Sequence, residues 1–195
     1  HLFRGDPGET VPLPVVTGKW IPFATPAALV QQQYRDFLGR EGDSGGVTYW
    51  ANRLTAGAST IPQVILSFLD SSEFGRVMAP VARLALAGLG APPAYADLTS
   101  WTAASRAGTP LADIADEVVT KTGFTSRYGS LGTGAYVDQV YVDVAGRAPT
   151  AAARSMWVTR IDSHTHSRAD LLAALVVTAD AVRRFEAKVN VLMTY

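Results

Sequence analysis

Three tryptophans in this 195-residue chain each follow a glycine at the same distance, with Gly39 and Trp50, Gly90 and Trp101, and Gly146 and Trp157 all eleven residues apart. The surrounding strings, YRDFLGREGDSGGVTYWANRLTAG, ARLALAGLGAPPAYADLTSWTAASRAG and YVDQVYVDVAGRAPTAAARSMWVTRIDSH, are three degenerate copies of one unit. Self-similarity at this period predicts stacked supersecondary units, each unable to bury its apolar face alone. The copies fall at about residues 28–75, 79–125 and 135–185, followed by a C-terminal helical extension, so residues 27–195 read as one helical repeat domain.

The first copy shows how a unit is built. Val30, Tyr34, Phe37 and Leu38 recur at helical spacing, opposite Gln32, Arg35 and Asp36, as in a helix packed on one side. Gly39 can take the left-handed conformation that closes this helix, with Arg40 complementing its negative end. Asp43 supplies a cap for a second helix carrying Trp50 and Leu54, which Gly57 stops. Ser59 or Thr60 caps a third, with Val64, Ile65, Phe68 and Leu69 facing inward.

In the second copy Ala91 replaces the arginine, and in the third His164 stands where the others have the stop glycine. The second and third copies are also five residues further apart than the first and second, and the extra length falls in the glycine-rich stretch Ser126 to Tyr136. That stretch reads as a loop and candidate hinge.

Residues 1–26 differ in kind. Pro7, Pro12, Pro14, Pro22 and Pro26 oppose helix, and Val11, Leu13 and Val15 alternate with other residues, which favours extended or polyproline conformation. With Trp20 and Phe23, they give the segment apolar anchors, so it reads as an assembly arm that docks on its own repeats or on a neighbour.

Composition excludes several classes. Seventeen basic residues balance seventeen acidic ones, so no net field recruits nucleic acid or anionic lipid. Cysteine is absent, which removes disulfides, thiolate catalysis and cysteine-based zinc sites. The longest apolar run, Leu171 to Val177, falls well short of a membrane span. Arginine outnumbers lysine and alanine abounds, a composition expected of a GC-rich bacterial genome. His1 in place of methionine reads as a processed or truncated end.

Tyr34, Leu38-Gly39-Arg40, Asp43 with Gly46, Tyr49-Trp50, Leu54 with Gly57, and Ser71 with Glu73-Phe74 together resemble a family of bacterial repeats of unassigned function, itself similar to the linker domains of phycobilisomes. The second copy keeps Leu89-Gly90, Trp101 and Gly108, and the third keeps Tyr141, Gly146-Arg147 and Trp157. The resemblance implies an all-helical fold in a secreted or surface-associated protein, and no established activity.

No catalytic, cofactor or metal site emerges. Asp36 and Asp143 occupy equivalent positions and read as solvated helix charges. His164 and His166 form a His-Thr-His loop that lacks the three or four convergent ligands a metal requires. Arg4-Gly5-Asp6 spells an integrin-type tripeptide, which recurs readily by chance. No GxSxG, HExxH or P-loop string is present. Tyr34, Gly39, Trp50, Gly90, Trp101, Tyr141, Gly146 and Trp157 are therefore assigned to the structural repeat core. The expectation is a non-catalytic, extracellular assembly subunit whose partner is itself or another surface protein. The alternative is a carbohydrate-binding or adhesin module, in which the same aromatics are partly exposed.

Overall fold

The structure, a computed structural model, describes residues 19–20 and 22–193. Among them are eleven α-helices and one π-helical turn, with no strand, as the repeat pattern requires. The first unit holds α1 (Pro26–Leu38), α2 (Ser44–Thr55), α3 (Ile61–Leu69) and the π-turn Phe74–Met78. The second holds α4 (Ala79–Leu89), α5 (Tyr95–Arg106), α6 (Leu111–Val118) and α7 (Thr122–Tyr128). The third holds α8 (Thr133–Ala145), α9 (Ala151–Asp162), α10 (Arg168–Val176) and α11 (Ala179–Leu192). Each unit has a fourth helical segment beyond the three legible in the sequence, and the C-terminal extension is the continuation of α11.

The punctuation residues act where their chemistry places them. Gly39, Gly90 and Gly146 close α1, α4 and α8 with φ of 61°, 75° and 73°. They are exposed turn positions rather than core. Asp43 accepts the Gly46 N–H to cap α2, and Thr60 forms a capping box with Gln63 on α3. Pro26, placed in the arm by its dislike of helix, is the first residue of α1 behind the cap Thr25; a proline there gives up no intrahelical bond.

Helix enters the glycine-rich stretch from both sides. Helix α7 runs to Tyr128 and α8 starts at Thr133, leaving only a short turn. Arg168 pins that turn by donating to the Tyr128 carbonyl at 2.9 Å and the Leu131 carbonyl at 2.5 Å. Tyr128 and Tyr136 on either side are wholly buried. The preceding junction has no turn at all, because the π-turn runs directly into α4.

The second and third units clasp one another. Their third helices, α6 and α10, make the largest helix–helix contact in the chain, and α4 lies against α10 and α11. At Gly88 a Cβ would meet Val118 at 2.8 Å and Leu172 at 3.1 Å, so the missing side chain lets these helices close. Arg83 is buried across this junction and donates from Nε to the Val176 carbonyl at 3.0 Å, at the negative end of α10. The first unit joins through the π-turn, which packs on α1, α4 and α5. Trp20 and Phe23 are half-buried against the core; Val11, Leu13 and Val15 lie outside the described residues.

Candidate functional site

The three repeat tryptophans have unequal environments. Trp101 and Trp157 are buried, whereas Trp50 is partly exposed at the edge of the core. The cause is the cover above each ring. Trp101 donates from its indole to Glu117 at 2.8 Å, with Lys121 over its face at 5.6 Å. Trp157 is capped edge-on by His166 at 5.7 Å, with Arg160 at 5.6 Å. In the first unit the positions of Glu117, Lys121 and His166 are held by Ser67, Ser71 and Ser59. Three short side chains leave Trp50 partly exposed.

The result is an aromatic series running from core to surface. Tyr34 meets Phe68 edge-on at 4.8 Å, Phe68 lies 6.4 Å from Trp50, and Trp50 meets Tyr49 at 5.0 Å. Tyr49 is 54% exposed and Leu66 56%. Together with Arg53, Gln63 and Asp70 they line a cleft of about 310 Å³. Arg53 stacks over Tyr49 at 5.6 Å and donates to Ser59 at 2.9 Å and to the Ala58 carbonyl at 3.1 Å, so its plane is fixed. Apolar rings beside fixed polar groups can bind a ligand with both a hydrophobic face and hydroxyls.

Contacts explain the Asp/Gly loop and the arginine that follows the helix-closing glycine. Tyr34 enters the Asp/Gly loop so closely that a Cβ on Gly46 would lie 2.0 Å from its hydroxyl, and one on Gly42 2.5 Å from its ring. Arg40 grips Glu73 with two bonds of 2.8 Å, and Arg106 adds a third at 2.7 Å. These bonds hold the Glu73 carboxyl down at about 2 against the cost of burial. Arg147 and Asp180 form the equivalent pair in the third unit at 3.0 Å. The second unit has lost both partners together: Ala91 replaces the arginine and Gly123 the acid, and a Cβ on Gly123 would press on the Leu89 backbone at 3.1–3.2 Å.

Asp143 departs from the solvated role expected of it. It accepts from Arg127 at 2.9 Å, the Tyr128 hydroxyl at 2.8 Å and Gln139 at 2.9 Å, and burial with this bond raises the Tyr128 pKa. Asp36 stays exposed, accepting from Gln32 at 2.7 Å. These equivalent carboxylates play unrelated parts. His164 and His166 line one open cleft with Asp162 and Asp170, but no group of three or more potential ligands converges among the described residues.

The chain matches the family described as Domain of unknown function (DUF4214) over residues 24–78 and 115–185, more than half of its length. It belongs to that family. The first matched segment of this DUF4214 chain coincides with the unit that carries the open cleft, and the second extends from α6 into α11. Helices α4 and α5 lie between the two matched segments. No curated protein and no solved structure matches the chain. No helix among the described residues is long and apolar enough to cross a membrane.

Proposed function

We propose that this DUF4214 chain is a non-catalytic assembly subunit, working at the bacterial cell surface or outside the cell. The observation that carries this reading is that the units recognise their own kind: α6 and α10, the same helix of two copies, make the largest contact in the chain. A module that docks on its equivalent within one chain is suited to docking on it between chains. The resemblance to phycobilisome linkers, which join other subunits, supports the same role at the level of fold. The arm is the second proposed contact, with Val11, Leu13 and Val15 as its apolar residues. The test is removal of residues 1–18, a cut that spares Trp20 and Phe23. Light scattering and electron microscopy should show a folded helical protein that assembles less than the intact chain, and equal assembly at matched concentration would refute the arm's part.

A second reading is favoured by the partly exposed Trp50. With Tyr49, Gln63 and Asp70 around it, the cleft has the rings and polar groups that a sugar requires. Binding of the intact chain on a glycan array, abolished by Trp50→Ala, would establish a carbohydrate-binding module.

A further inference from the structure

We infer that the cleft beside Trp50 takes an uncharged sugar, whose hydroxyls bridge the Asp70 carboxylate and the Arg53 guanidinium; this deepens the carbohydrate reading and rests on it. Arg53 and Asp70 are the cation and the anion that line the cleft. Neither belongs to any ion pair among the described residues. Asp70 closes α3 with its backbone N–H, and its carboxylate has no partner among those residues. Gln63 turns its Oε1 to the Thr60 N–H at 2.8 Å, which leaves its Nε2 unengaged. Arg53 spends Nε on Ser59 and Nη2 on the Ala58 carbonyl, which leaves Nη1.

A carboxylate only accepts hydrogen bonds, whereas a guanidinium and an amide nitrogen only donate. A hydroxyl does both, so a ring with adjacent hydroxyls satisfies all three groups. A charged ligand does not: an acid is repelled by Asp70 and an amine by Arg53, in a cleft whose own charges cancel. Arg53 also lacks the free two-nitrogen fork that carboxylates take, since only Nη1 is unbonded. The C–H face of the sugar has Trp50 and the exposed Tyr49 to lie against. Only unit one combines these groups. Counted from the N-caps Thr60, Pro110 and Ser167, Gln63 and Asp70 correspond to Asp113 and Thr120 in unit two and to Asp170 and Val177 in unit three. Counted from the tryptophans, Tyr49 and Arg53 correspond to Ser100 and Ala104, and to Met156 and Arg160.

The test applies the intact chain to one glycan array carrying matched oligosaccharides that end in glucose, glucuronate or glucosamine. The glucose form should bind best, by roughly tenfold over either charged form. Asp70→Asn changes an exposed helix end, so it should keep the parent melting temperature. It should also weaken the glucose form roughly tenfold and erase the discrimination against glucuronate, ratios that a merely structural role would not move. If sugars bind through Trp50 but a charged form binds as tightly as glucose, or Asp70→Asn leaves the ratios unchanged, the uncharged ligand is overturned and the carbohydrate reading stands. If no glycan binds, or a free amino acid, whose two charges also match the cleft, binds instead, both are overturned.

Discussion

Tyr34 and the loop it enters illustrate how one side chain dictates its neighbours' composition. Its hydroxyl occupies the space a methyl at residue 46 would need, 2.0 Å away. Gly46→Ala should therefore destabilise the protein by about 1–3 kcal/mol, the cost of forcing a packed site open. Tyr34→Phe in the same chain should recover much of the loss, because the nearest remaining ring atom is 3.1 Å from the added carbon. Chemical denaturation of the two single variants and the double variant measures this coupling. The tryptophans call for a similar distinction. Trp101→Ala removes a wholly buried ring and an indole bond to Glu117, with an expected cost of about 3–5 kcal/mol. Trp50→Ala should cost visibly less in the same melt. The glycine–tryptophan spacing identified the equivalent positions, but burial depended on residues 59, 67 and 71. Those serines look unremarkable until the long side chains at the same places in other units are seen.

At the scale of helices, the end of each unit's second helix shows which feature the fold demands. Gly57 and Gly108 have φ of 70° and 94°, and His164 takes the same left-handed conformation with φ of 57°. The glycine is dispensable but its conformation is not. His164→Gly should raise stability by up to about 1 kcal/mol, by relieving the strain a side chain suffers there; the thermal midpoint checks it. The Arg40–Glu73–Arg106 cluster ties the end of α1 to the π-turn and α5. Because folding depresses the Glu73 pKa from 4.5 to about 2, its contribution is fully present above pH 4.5 and is lost as pH falls through about 2. Glu73→Gln should cost about 1–3 kcal/mol at neutral pH, and the difference from the parent protein should shrink across that acid window. Helix starts and stops were legible because capping chemistry is local. The helical residues 126–128 and 133–136 on either side of the turn after Tyr128 were not, since the buried Tyr128 and Tyr136 hydroxyls find their partners in Asp143 and the Arg168 carbonyl, 15 and 32 residues away.

For the molecule as a whole, three copies of one unit have diverged into two roles. Units two and three bury their third helices against each other, and Arg83 locks the junction through the end of α10. Unit one keeps its motif most completely, and with it a partly exposed Trp50 and an exposed Leu66. The repeat and its all-helical character could be read from spacing alone. Which copy stays open could not, because that follows from how unlike copies fit together. The central claim is that the chain is an assembly subunit, and sedimentation equilibrium of the intact protein across the micromolar range tests it most directly. A mass rising with concentration from 20.7 kDa to at least twice that value is the expected result, and a mass fixed at 20.7 kDa throughout would contradict it.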